Sequence, residues 1–167
     1  MRFKFIYDAN VLIDAKRGGL FDEIFEIRHD LFLSDLVIRK ELVQFLDDIS
    51  PKISSGKITP IFCGVEIEEK MKELGKRHSS RLSPCDLACL AHVLVSGLDS
   101  VATADDGLRK AARNEWIHPI WLVDILEMLI EDEKISKEEA LAFFEKAVPK
   151  KGKELVAAIA DQLLSLP

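Results

Sequence analysis

Short β-favouring runs alternate with helix-periodic stretches over roughly the first 115 residues, and this alternation constrains the chain more than any other feature. The β-favouring runs are residues 3–7, 31–33, 58–62 and 100–104. Parallel strands need crossovers, and helices are the usual crossovers, so strict alternation predicts βα units around a parallel sheet with helices on both faces. The expected fold class is therefore α/β, a three-layer α/β/α sandwich, followed by a helical tail.

The connecting segments carry helix signals of their own. From Val11 the apolar residues Val11, Leu12, Leu20, Ile24 and Phe25 fit helical spacing, and Gly18-Gly19 is expected to break that stretch into two helices. Ser34 and Asp35 offer an N-cap for a helix with Leu36, Val37, Leu42, Val43 and Leu46 inward, ended by Pro51 and the Ser54-Ser55-Gly56 turn. Residues 65–76 read as a charged helix and 78–82 as a basic loop. Ser83-Pro84 then opens a helix, with Ser as N-cap and Pro at the first helical position. That helix is apolar nearly all round, which predicts a central place, and Gly97 ends it. A further helix spans 107–113. After Pro119 the pattern becomes helical: 120–130, a helix opened by the capping box Ser136-Lys137-Glu138-Glu139 and running through Phe143, and a last helix up to Leu164, set off by Pro149 and Gly152. The expected division is a domain over 1–121 and a C-terminal helical extension over 122–167, packed on or beside it.

Composition narrows the class. A 48% hydrophobic content with 8 Gly and 6 Pro in 167 residues is that of a chain with a sizeable core. No apolar run approaches the ~18 residues of a membrane span, and the first residues do not read as a signal peptide. Three Cys, an odd number, argue against a disulfide framework and fit a reducing, cytoplasmic setting. Cys85 and Cys89, one helical turn apart, read as buried thiols in preference to zinc ligands. The formal net charge of -6 disfavours coating of nucleic acid by bulk charge and leaves room for a local basic patch.

Four acids stand where such a sheet would gather ligands. Ligands bind outside the C-terminal ends of parallel strands, and right-handed crossovers bring the post-strand positions to one edge. Asp8 follows the first strand, Asp105 follows the fourth after Thr103, Asp86 lies in the first turn of the central helix, and Glu41 lies two turns into the helix after the second strand. Two carboxylates ~4 Å apart repel by about 4 kcal/mol at a surface-like dielectric, so a cluster needs protons or a cation. Oxygen ligands with room for water suit Mg²⁺ or Mn²⁺. Such ions generate hydroxide near neutral pH and stabilise charge on a phosphodiester.

Each residue has a plainer reading. Asp8, Asp86 and Asp105 could each cap a helix, where a carboxylate gains ~0.3–1 kcal/mol from the dipole, and Glu41 could be a solvated helix acid. Asn10 either orients Asp8 or makes a turn; Thr103 either supports the fourth acid or fills a strand. Asp106 is an extra ligand, a cap or an exposed residue, and Ser34 reads as a cap. The basic stretch Lys70, Lys72, Lys76, Arg77, His78, Arg81 is interleaved with Glu68, Glu69 and Glu73, which makes its helical part a solvated face. Arg77 and Arg81, assigned to the loop, and Arg109 at the rim are the candidates for phosphate contact. Trp116 and Trp121 bracket the start of the tail and read as core or as an oligomer contact.

Four segments, in this order, resemble the successive motifs of PIN-domain proteins: Tyr7-Asp8-Ala9-Asn10-Val11-Leu12, Val37-Ile38-Arg39-Lys40-Glu41-Leu42, Leu82-Ser83-Pro84-Cys85-Asp86-Leu87 and Ala102-Thr103-Ala104-Asp105-Asp106. The resemblance covers about residues 2–120. It implies a PIN-like sandwich and metal-dependent cleavage of RNA, with Asp8, Glu41, Asp86 and Asp105 holding Mg²⁺ or Mn²⁺ and Asn10 and Thr103 in support. Many small prokaryotic members are toxin ribonucleases of the VapC type, inhibited by an antitoxin protein and commonly homodimeric. The tail departs from the shortest toxins, and its Ile135-Ser136-Lys137-Glu138-Glu139-Ala140 segment is similar to a PIN subgroup of unassigned role with an extra helical hairpin.

The expected function is a metal-dependent endoribonuclease. The rival is a PIN-fold module that binds RNA or protein without turnover. A phosphatase of the dehalogenase type would need a second acid where Asn10 stands, and no glycine-rich phosphate loop exists.

Overall fold

The first strand, β1 (Lys4–Tyr7), is buried along Phe5, Ile6 and Tyr7, as a strand covered on both faces must be. It is flanked by β2 (Asp30–Ser34) on one side and β4 (Ser100–Ala102) on the other, with β3 (Thr59–Ile61) at the far edge beyond β2. All pairings are parallel: Phe5 stands opposite Leu31 and Ser100, and Leu33 opposite Pro60. Pro60 lacks an N–H, which an edge strand tolerates. The structure, a computed structural model, describes residues 2–78, 81–147 and 153–166, and only the backbone of 153–156. The protein is an α/β fold with a four-stranded, all-parallel sheet.

Nine α-helices are seen among the described residues. α1 (Ala9–Gly18) follows β1 directly; Gly19, at φ 83, ends it. The expected second helix there is a single 3-10 turn, Glu23–Phe25, whose Ile24 and Phe25 are buried. α2 (Asp35–Glu41) is capped by Ser34, whose hydroxyl accepts from Leu36 N–H at 3.3 Å. A 3-10 turn (Val43–Phe45) separates it from α3 (Leu46–Ser54). Pro51 was expected to stop this unit, yet it lies inside α3. Pro51 leaves one i→i−4 bond unmade, and Ser55 N–H still closes the end on the Pro51 carbonyl at 3.0 Å.

α4 (Val65–His78) runs two residues beyond the charged helix expected at 65–76, so Arg77 belongs to the helix and not to the loop. Its last turn is held by an i,i+4 ion pair from Arg77 to Glu73 at 2.9 Å. α5 (Pro84–Ser96) opens as expected, with Ser83 as N-cap and Pro84 in the first turn, and ends at Gly97 with φ 66. Ala88, Cys89, Leu90, Ala91, His92 and Val93 are buried where α5 meets α2, α4 and the strands β1, β2 and β4. The apolar character of this helix is thus explained by its central position. α6 (Asp106–Asn114) follows β4. Ile120, expected to start the next helix, is extended and forms a parallel bridge with Ala102.

By internal contacts the chain divides into two units, Met1–Val11 with His29–Ile120, and Leu12–Arg28 with Trp121–Pro167. The first holds the sheet. The second holds α7 (Leu122–Glu131), α8 (Lys137–Ala147) and α9 (Lys153–Leu164). The capping box at α8 forms as read: Glu139 N–H donates to Ser136 Oγ at 3.1 Å and Ser136 N–H to Glu139 Oε2 at 2.7 Å. Phe143 and Phe144 are buried, with Trp121 edge-on to Phe144 at 6.2 Å. Arg28 pairs with Asp132 at 3.1 Å. Pro149 and Gly152, read as the divider before the last helix, lie outside the described residues. No described helix is long and apolar enough to cross a membrane.

Candidate metal centre

The strand order β3-β2-β1-β4 fixes where a site can form. The chain steps outward from β1 to β2 to β3, then crosses back to the other side of β1 for β4. The topological switch point therefore lies between β1 and β4, and ligands of parallel sheets gather outside the strand ends at that point. Asp8 follows β1 there and Thr103 follows β4. Asp8 N–H donates to the Ala102 carbonyl at 3.0 Å, which locks the two strand ends together.

Asp8 is 1% exposed. Its Oδ2 accepts from Thr103 Oγ1 at 2.8 Å and from Asn10 Nδ2 at 3.1 Å. Its Oδ1 is buried and has no partner. An unpaired buried carboxylate oxygen is costly in a folded protein, so a cation or hydrogen-bond donor placed there would be favoured. The capping alternative for Asp8 does not hold: its side chain is turned to Thr103 and Asn10, and only its backbone carbonyl meets Val11 N–H.

The other acids stand within electrostatic reach. Burial first, then repulsion from Asp86 and Glu41, pushes the Asp8 carboxyl up to about 6, against the opposing hydrogen bonds of Thr103 and Asn10. Glu41, half-buried at the end of α2, is raised by burial and by the charge of Asp86. Asp86, half-buried in the first turn of α5, is raised by burial and by the charge of Asp105. Burial is the main cause of each shift, and the neighbouring carboxylates add to it.

Asp86 and Asp105 also cap helices, so for these two the plain and the functional readings coexist. Ser83 N–H donates to Asp86 Oδ2 at 2.7 Å while Asp86 N–H donates to Ser83 Oγ at 3.1 Å, a reciprocal capping box. Asp105 Oδ1 accepts from Leu108 N–H at 2.7 Å, and Asp105 N–H donates back to Thr103 Oγ1 at 3.0 Å. Each carboxylate keeps one oxygen outside its cap. The caps fix the direction of both side chains, which is what a preorganised site requires.

Among the described residues, no group of three or more His, Cys, Asp or Glu side chains stands in position to hold a metal ion. Asp86 and Asp105 are engaged instead as helix caps. The donor set still suits a hard divalent cation, because every acid offers oxygen and Asp8 Oδ1 has no hydrogen-bond partner.

Asp106, next to Asp105 in the chain, is exposed and ion-paired with Arg109. Arg77 pairs with both Glu73 and Glu115. Arg81 is exposed in the loop before Ser83. Trp116, read as core or as an oligomer contact, is 98% exposed and so is not core.

One contributor went unread in the sequence. Cys85, buried as expected, is a hydrogen-bond partner of the Glu41 carboxylate, and its sulfur lies 3.9 Å from the Leu36 carbonyl. Burial and the charge of Glu41 push its thiol up to about 12, so the S–H stays intact and donates. Its position beside Asp86 was the only available signal.

Compared with known proteins, the sequence matches no family model and no curated relative.

Proposed function

We propose that this protein is a metal-dependent endoribonuclease of the PIN type, with a three-layer α/β/α sandwich as its catalytic domain and Asp8 at the centre of a Mg²⁺ or Mn²⁺ site. The observation that carries this reading is the unpartnered Oδ1 of a nearly inaccessible Asp8, raised to about 6 among repelling acids at the switch point of a parallel sheet. Asp8, Glu41 and the uncommitted oxygens of Asp86 and Asp105 would hold the ion. The chemistry such an ion supplies is activation of water and neutralisation of charge developing on a phosphodiester.

The chain's own residues have separable tasks. Thr103 and Asn10 fix Asp8 through Oδ2, which leaves Oδ1 without a hydrogen-bond partner. Thr103 also receives Asp105 N–H, so one hydroxyl couples the first and fourth acids. Ser83 orients Asp86, and the Cys85 thiol holds Glu41. With its pKa near 6, Asp8 sheds its remaining proton close to neutral pH, where the anionic form is wanted.

The capping bonds of Asp86 and Asp105, and the lack of a ready chelating trio among the described residues, favour a second reading, a PIN-fold module that binds RNA without cleaving it. A cleavage assay separates the two. Single-stranded RNA incubated with wild type and Asp8→Asn, in Mn²⁺ and in chelator, should be cut by the wild type alone and only with Mn²⁺. RNA bound and left intact by both proteins in Mn²⁺ would establish the binding module.

A further inference from the structure

Helix α6 ends in a tight reversal. Ile117 N–H donates to the Ala112 carbonyl at 2.9 Å and Trp116 N–H to the Arg113 carbonyl at 3.1 Å, the bond pair of a Schellman motif. This places Trp116 at φ 61, the position that favours glycine because a Cβ is strained there. Yet the side chain is 98% exposed. Neither the local backbone nor packing accounts for a tryptophan at this place. A ring this accessible, held at a strained position, presents an open aromatic face on which a planar group can stack.

The neighbouring residues say what kind. Glu115 accepts from His78 Nε2 at 2.8 Å and pairs with Arg77 Nη1 at 3.1 Å, which ties the α6 terminus to the end of α4. Arg77, His78, Arg81, Lys110 and Asn114 line a cavity of about 300 Å³ between these helices. Among the described residues Arg81 and Lys110 form no ion pair. In a protein of formal net charge -6, two uncompensated cations in one cavity are a local reversal of the prevailing sign. Gly107 lines the same cavity, and a Cβ there would lie 3.0 Å from Asp105 Oδ1. Gly107 thus sets the cavity beside Asp105, the acid that caps α6 through that same Oδ1.

We propose that Trp116 and this cavity form a binding track for single-stranded RNA: a base stacks on the indole, a phosphate sits beside Arg81 and Lys110, and the strand passes Gly107 toward Asp105 and Asp8. The proposal rests on the ribonuclease reading for the identity of the polymer. Stacking on an exposed aromatic combined with a cationic groove is how single strands are held without sequence readout. A duplex, whose bases are already stacked, has nothing to offer the indole.

The test uses the full chain in chelator, with Asp8→Asn to prevent cleavage and Trp121→Phe to leave Trp116 as the sole indole of the two in the sequence. A short single-stranded oligoadenylate carrying a terminal fluorescein should quench the indole and gain anisotropy on binding, and the anisotropy reads binding in variants that lack Trp116. Replacing Trp116 by Gly should weaken binding about tenfold, equivalent to ~1.4 kcal/mol, and at the same time raise the melting temperature by relieving the strained backbone. The double variant Arg81→Ala/Lys110→Ala should flatten the slope of log K against log salt by about 1.4, the value for two phosphate contacts on a single strand. Oligoadenylate bound by Trp116→Gly as tightly as by its parent would overturn the proposal and point to a protein partner for the indole. A lower melting temperature for Trp116→Gly would also overturn it, by showing the ring to be structural. Since no metal is present, failure of the metal reading leaves these outcomes unaffected.

Discussion

The Thr103 hydroxyl donates to Asp8 Oδ2 at 2.8 Å, a bond between residues 95 apart in the chain and both inaccessible to solvent. The same oxygen accepts Asp105 N–H at 3.0 Å. A single buried side chain therefore sets the orientation of the first acid and the path of the backbone carrying the fourth. Thr103→Val keeps the shape and removes both bonds. It should cost about 1–3 kcal/mol, the penalty for leaving buried polar groups unmet, seen as a lower midpoint in urea denaturation. It should also move the pH midpoint of Mn²⁺ binding upward, because the lost donor had been lowering the Asp8 pKa. An unchanged pH midpoint with reduced stability would confine Thr103 to a packing role.

Asp8 gives a second prediction through proton linkage. Its carboxyl titrates near 3.8 when unfolded and near 6 when folded. Below the lower value both states are protonated and the residue costs little. As pH rises through 3.8 the unfolded state ionises first and is favoured, and above 6 the penalty levels off at roughly 3 kcal/mol. Metal-free Asp8→Asn should therefore melt higher than wild type at pH 7, and the advantage should vanish below about pH 4. Equal melting temperatures at both pH values would mean that Asp8 is not strained by its surroundings.

The capping acids can be split into their two roles. Asparagine caps a helix about as well as aspartate, so Asp105→Asn should hold its melting temperature in chelator and lose the stabilisation given by Mn²⁺. At Asp86 the bond that the side chain accepts from Ser83 N–H can be kept by asparagine and not by alanine, while Asp86 N–H to Ser83 Oγ survives either change. Asp86→Asn should lose only the metal response, while Asp86→Ala should also lose about 1 kcal/mol of stability. Calorimetric melting of the three variants with and without Mn²⁺ distinguishes a cap from a ligand.

In the second unit the tight point is Gly18, where an added Cβ would overlap the ring of Phe143. Phe143 is 1% exposed and has no room to yield. Gly18→Ala should destabilise by about 1–3 kcal/mol as overpacking, despite alanine's higher helix propensity, and the loss should appear in thermal melts. A neutral result would show that Phe143 can repack.

The strand positions were legible because each β-favouring run is short and bounded by turn residues, and Ser83-Pro84 and Ser136–Glu139 announced their helices through local capping chemistry alone. Pro51 misled because a proline near the end of a short helix removes one bond without ending it. The length of α4 was hidden because Arg77 reads as a loop cation until its ion pairs with Glu73 and Glu115 are known. The convergence of Asp8 and Thr103 was inferable from parallel topology. The double duty of Asp86 and Asp105, the thiol of Cys85 on Glu41 and the left-handed Trp116 were not, since each depends on tertiary placement that periodicity does not encode.

The central claim is tested most directly by the melting temperature of wild type and Asp8→Asn, each in chelator and in Mn²⁺. The account predicts that Asp8→Asn melts higher in chelator at pH 7. It also predicts that Mn²⁺ stabilises only the wild type, by about 2.7 kcal/mol at a hundredfold excess over Kd, enough to close most of the gap. If Mn²⁺ shifts neither protein, or both equally, the acids do not form a metal site around Asp8.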